Sequence, residues 1–171
     1  IKLDTNSLIN FSIDDKLNIK KLAIRSDLNL DNLNINYKSN HIKKYLENYE
    51  NKLVIKKPNI LLDYSNDIIN LKLDGKYSLK KQTDNFFVKF KGNKNNFELY
   101  SLLDLDNCAL NITDTNYIKK NGITSKLEIL LKKSKNNLNF KKINFTENKN
   151  FISVKNLKIS NDFKIKSVDE V

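Results

Sequence analysis

The chain has 171 residues, is 39% hydrophobic and 30% charged, and carries a net charge of +11. That is about one domain's worth of sequence. No apolar run approaches the roughly 18 residues of a membrane span, and the regular spacing of the apolar residues excludes a disordered chain.

The basic balance is a lysine balance. Of 31 Lys plus Arg, only Arg25 is an arginine, whereas a protein that reads nucleic acid wants the planar, bidentate guanidinium. Together with abundant Asn and Ile, this reads as the codon usage of an AT-rich genome covering a solvated surface, and no nucleic-acid partner is expected. The single Cys108 excludes an intrachain disulfide and a Cys-based metal site. Met is absent and the chain opens at Ile1, which reads as an internal piece of a longer polypeptide, a single β-rich segment over 1–171.

Along the chain the dominant hydrophobic period is two, the period of a strand with one apolar face. Alternating runs predict strands at residues 17–19, 22–24, 28–30 and 33–37, each shifted in phase by a small insertion. From His41 the period changes. Ile42, Tyr45, Leu46 and Tyr49 fall at i, i+3, i+4 and i+7, which predicts one short amphipathic helix near residues 41–50, capping one end of a sheet. Pro58 is expected at the start or edge of the next strand.

Alternation resumes at 53–55, 60–64, 71–73 and 77–79. Asp74-Gly75 allows a tight turn, but a bulge inside one long strand is the reading preferred here. Further runs follow at 86–90, 97–99, 103–105, 110–112, 127–131, 138–140, 143–145, 152–154, 157–159 and 163–165. Asn- and Asp-rich breakers separate them as hairpin loops, including Asp14-Asp15, Ser65-Asn66-Asp67, the stretch from Gly92 to Asn96, Lys135-Asn136-Asn137 and the stretch from Glu147 to Asn150. The pattern predicts a mainly β fold, a many-stranded antiparallel sheet with one short helix.

The inventory for catalysis is thin, and no enzyme activity and no cofactor are expected. His41 is the lone histidine, and no Ser/His/Asp set assembles around it. Three glycines leave no phosphate-cradling loop. Asp104 and Asp106 flank Leu105 on a strand and point to one solvated face, and Cys108 reads as a small buried residue. What remains is the apolar face. It must bury itself against another layer, close into a barrel, or hold something apolar. Alternation alone leaves open a self-packed core and a groove in which each buried methylene of an acyl chain gains roughly 0.8 kcal/mol.

The stretch Leu103-Asp-Leu-Asp-Asn-Cys-Ala-Leu-Asn-Ile112, followed by Tyr117-Ile-Lys-Lys-Asn-Gly122, resembles the AsmA-like superfamily in its YhdP-type branch. There, an Asp-Leu strand with a small spacer and Ala-Leu leads to an aromatic-x-Lys-Pro-x-Gly turn. Asp104, Leu105, Ala109 and Leu110 match the first part; Tyr117, Lys119 and Gly122 match the turn, with Lys120 where the family has proline. Leu71-Lys-Leu-Asp-Gly-Lys-Tyr-Ser-Leu79 and Asn18-Ile-Lys-Lys-Leu-Ala-Ile-Arg-Ser-Asp-Leu28 are similar to the family's repeated strands.

The resemblance implies a long, strongly curved antiparallel sheet forming an apolar groove, part of a bacterial protein anchored in the inner membrane and extending through the periplasm. It implies shelter or conduction of phospholipid acyl chains between inner and outer membranes, with the membrane anchor outside this fragment and no catalytic residues. The lining expected from one alternating face is Leu71, Leu73, Phe97, Leu99, Leu110, Ile112, Leu127, Ile129, Leu131 and Phe140. The alternative is a structural or adhesive β-rich surface module with a self-packed core and no ligand.

Overall fold

A computed structural model describes residues 3–46, 49–135, 137–160, 162 and 164–171, without the side chains of His41 and Asp114. Asn136 of one predicted turn, Phe163 of the last predicted strand, residues 47–48 of the predicted helix and the side chain of His41 therefore lie outside the described residues.

The alternating runs merge into strands of one open antiparallel sheet. In chain order these are β1 (Leu3–Ile13), β2 (Ile19–Leu30), β3 (Asn32–Asn36), β4 (Lys52–Ser65), β5 (Ile68–Ser78), β6 (Asp84–Gly92), β7 (Asn96–Asp104), β10 (Ser125–Ser134), β11 (Asn137–Glu147), β12 (Asn150–Ser160) and β13 (Ile165–Ser167). They pair in the order β1-β2-β4-β5-β6-β7-β10-β11-β12-β13, with β3 beside the first half of β4. The excursion between β7 and β10 forms a separate two-stranded hairpin of β8 (Leu110–Ile112) and β9 (Tyr117–Lys119).

The phase shifts of the sequence are bulges. The register of β1 with β2 slips between Asn10 and Ser12, opposite Lys21 with φ 49°. That of β4 with β5 slips between Lys56 and Asn59, and that of β10 with β11 between Leu130 and Leu131. An extra residue restores the apolar phase after each slip and bends the strand. The preferred reading of Gly75 holds in that β5 runs unbroken through it; the bulge belongs to the partner, residues 57–58 of β4. Pro58 is a correction: it sits buried inside β4 rather than at a strand start. At that bulge its missing N–H leaves no ladder bond unmade.

The helix is shorter than its stripe. Helix α1 spans Asn40–Tyr45, with Ser39 Oγ accepting from Ile42 N at 3.2 Å. Six residues make too short a helix to persist alone, and at Leu46 the chain turns extended to bridge Leu110. Tyr49 is nonetheless buried, its hydroxyl donating to the Tyr37 carbonyl.

The buried apolar residues are few, Tyr49, Phe86, Leu105 and Cys108; α1 contacts β8, and the β8–β9 hairpin reaches one end of the sheet through Tyr117 on Phe145. Accessible area measures the openness. The chain exposes 12,075 Å², against about 8,700 Å² for a compact monomer of 20.0 kDa.

Candidate functional site

In an antiparallel ladder, residues paired across strands point to the same face, so the registers sort the side chains without ambiguity. One row crosses eight strands as Leu28, Ile60, Leu73, Val88, Ser101, Ile129, Ile143 and Val154. The next runs Ser26, Leu62, Leu71, Phe90, Leu99, Leu131, Phe140 and Leu157. Neither row holds a charge, and each spans about 34 Å at the ordinary strand spacing. Two shorter rows flank them: Phe86, Leu103, Leu127 and Phe145 on the capped side, and Ile69, Gly92, Phe97 and Lys133 on the other. Lys133 is the one charge in these four stretches.

Of the ten lining residues expected from sequence, eight share this face: Leu71, Leu73, Phe97, Leu99, Leu127, Ile129, Leu131 and Phe140. Leu110 and Ile112 do not. They belong to β8, off the sheet, because the chain leaves the ladder after Asp104 and returns at Ser125. The eight are half-buried, although no second sheet covers them among the described residues.

The capped end is tied down by polar side chains. Lys119, 1% exposed, donates from Nζ to three backbone carbonyls: Cys108 at 2.8 Å, Lys120 at 3.2 Å and Asp106 at 3.3 Å. Burial lowers its pKa, opposed by the nearby Cys108, Asp106 and Asp84. Asp84 accepts from Asn107 N at 3.0 Å and from Asn107 Nδ2 at 2.9 Å, and burial holds its carboxyl above the usual range. Tyr77, raised mainly by burial, donates to the Asp104 carbonyl at 2.6 Å and sits 3.4 Å from Cys108 Sγ. Tyr117 on β9 packs edge-on against Phe145, ring centroids 5.8 Å apart, and its hydroxyl bonds Glu147. The hairpin thus closes one end of the apolar face.

Cys108 is buried, as its composition predicts, and burial pushes its thiol up to about 11 from 9.0. The thiolate is the reactive form, so alkylation by iodoacetamide at pH 8 is expected to run roughly a hundredfold slower in the folded protein than in guanidinium. Intact mass measures the rate. Because the folded pKa is the higher one, the stabilising contribution of the neutral thiol is complete below pH 9 and is lost as pH rises through about 11. The Cys108→Ala variant should lack that part of the decline, and equal alkylation rates in the two states would refute the account.

The other residues weighed for chemistry are engaged structurally. Asp104 accepts from Asn85 Nδ2 at 2.8 Å and pairs Lys126 at 3.5 Å. Asp106 lies beyond the end of β7 rather than on it, and its Oδ1 accepts from Ser125 N at 2.8 Å. Among the described residues no group of three His, Cys, Asp or Glu side chains is placed to hold a metal ion.

The opposite face is charged, and sequence reading did not single it out. It carries a groove of about 740 Å³ touching β1, β2, β4, β5, β6, β7 and β10, with Leu8, Leu61, Tyr100 and Leu130 among polar neighbours. No family model, curated protein or solved structure matches this chain.

Proposed function

We propose that this chain is a stretch of wall that shelters phospholipid acyl chains, in the manner of the AsmA-like, YhdP-type proteins its sequence resembles. The observation that carries the reading is the pair of uncharged rows crossing eight strands with no second sheet over them among the described residues. Their span of about 34 Å exceeds the roughly 15 Å depth of one leaflet's hydrocarbon. A chain laid along them loses water contact without needing any particular side chain. In this reading the parent is a bacterial inner-membrane-anchored protein extending through the periplasm, phospholipid is the partner, and no catalytic group is called upon. The rival, a self-packed adhesive module, wants two sheets packed on one another; the described residues form one layer with a small cap.

The test is photocrosslinking in the bacterial envelope. Benzoyl-phenylalanine placed at Leu99 or Leu131 is expected to yield phospholipid adducts by mass spectrometry, while the same probe at Thr146, exposed on the charged face, yields none. Absence of adducts at both apolar positions, or equal labelling at Thr146, refutes the reading.

A further inference from the structure

We propose that the groove on the charged face binds a single-chain anionic amphiphile, an alkyl chain ending in a carboxylate or a phosphate monoester. The charged and apolar side chains that carry it project from the face opposite the acyl-sheltering rows, of which Ser26, Leu62, Leu71 and Phe90 also border the groove, and the proposal does not rest on that reading.

The head of the ligand is indicated by two lysines left facing one another. Lys72 and Lys89 are direct cross-strand partners of β5 and β6, and like charges in that relation destabilise a sheet. Both lean on one ring, with Nζ of Lys72 5.7 Å and Nζ of Lys89 5.4 Å from the Phe87 centroid. Among the described residues neither forms an ion pair. Of the nearby acids, Asp63 is paired with Arg25 at 3.2 Å and Glu98 with Lys132 at 2.9 Å, while Asp74, two residues along β5 and opposite Phe87, forms no ion pair with either lysine among the described residues. Asp27 lies beyond Leu61, two strands from Lys72. An anion held by both ammonium groups removes the repulsion, and the half-buried ring beneath keeps water from one side.

The tail is indicated by what continues the same row. Beyond Lys89 come Tyr100 and then Leu130; beyond Lys72 comes Leu61. Leu61 and Leu130 are 38% and 37% exposed. The volume of about 740 Å³ lies within the roughly 300–1,000 Å³ of small-molecule sites. The groove's four cations, Arg25, Lys72, Lys89 and Lys91, stand against three acids, Asp27, Asp63 and Glu98, a balance that suits one anionic head with one tail; a polyanion would want an unbroken row of cations.

Dodecyl phosphate, titrated below its micelle concentration, is expected to bind one-to-one by calorimetry and to shift the backbone amide resonances of Leu61, Lys72, Lys89 and Tyr100. The exposed double substitution Lys72→Gln/Lys89→Gln should weaken it about tenfold or more, the loss expected of charge-assisted hydrogen bonds. Leu130→Asn should weaken dodecyl phosphate and leave the response to inorganic phosphate unchanged. The proposal is overturned by no binding, by inorganic phosphate binding as tightly as dodecyl phosphate, by dodecyl maltoside binding as tightly, or by an unaffected double variant.

Discussion

Gly92→Ala is expected to destabilise the protein by at least about 3 kcal/mol, through backbone strain and a collision that no side-chain rotation relieves. Gly92 ends β6 with φ +144°, a region open essentially to glycine alone. An added Cβ would stand 2.3 Å from the Asn96 carbonyl oxygen and 2.5 Å from Phe97 Cα. The hairpin has no slack to yield. Asn93 N donates to the Asn96 carbonyl at 2.8 Å, and Asn93 Oδ1 accepts from the amides of Asn95 and Asn96, both at 3.0 Å. The displaced Phe97 packs on Phe90 at 5.1 Å between centroids, so the damage reaches the apolar face. Gly122→Ala is the control. It also has positive φ, +82°, but nothing lies within 4 Å of its Cβ, and it should cost only about 1 kcal/mol. Urea denaturation of the two variants decides. Equal midpoints would show that the close approach at Gly92 is not sustained in solution.

Lys119→Met should release the cap while leaving most of the sheet intact. Methionine keeps the length of the stem and removes all three bonds, so the carbonyls of Cys108 and Lys120 lose this partner while Asp106 O keeps the Gly122 amide. Leaving buried acceptors unmatched costs on the order of 3 kcal/mol. The β8–β9 hairpin pairs with itself, meets α1 and Leu46 on one side and reaches the sheet through Tyr117 on Phe145 and Glu147, so Lys119 is one of its few ties. Hydrogen exchange is the measurement that separates local from global loss. The amides of Cys108 and Gly122, bonded to Leu105 O at 3.1 Å and Asp106 O at 2.8 Å, are expected to lose protection, and those of β5 and β6 to keep it. Retained protection throughout would mean that the lysine merely fills space.

The strands of the middle and C-terminal parts were legible because Leu, Ile and Phe alternate with polar residues, and alternation survives burial of one face only. β1 was not. Its sequence places Leu8 directly beside Ile9, between Ser7 and Asn10, and at the sheet edge both faces are exposed, so nothing selects a period. Leu110 and Ile112 alternate as well as any sheet residue, yet a three-residue strand can join a hairpin as readily as a ladder. Their loss from the expected lining is a matter of topology. In sequence, Lys119 is one residue of a turn motif. In a chain this rich in lysine, the default is an exposed ammonium, and only the three converging carbonyls mark this one as different. The groove on the charged face went unread for a related reason: its apolar members arrive one per strand, and cross-strand rows have no signature along the sequence.

Every strand of the large sheet is bonded only to the strand or strands beside it, and the spatial order nearly repeats the order of the chain. Such an arrangement is a one-dimensional array, whose stability is a sum of terms between adjacent strands. Closure of each hairpin brings together residues near in sequence, so folding can start at any turn and spread in both directions. An array of this kind grows or shortens by whole hairpins without rebuilding a shared core.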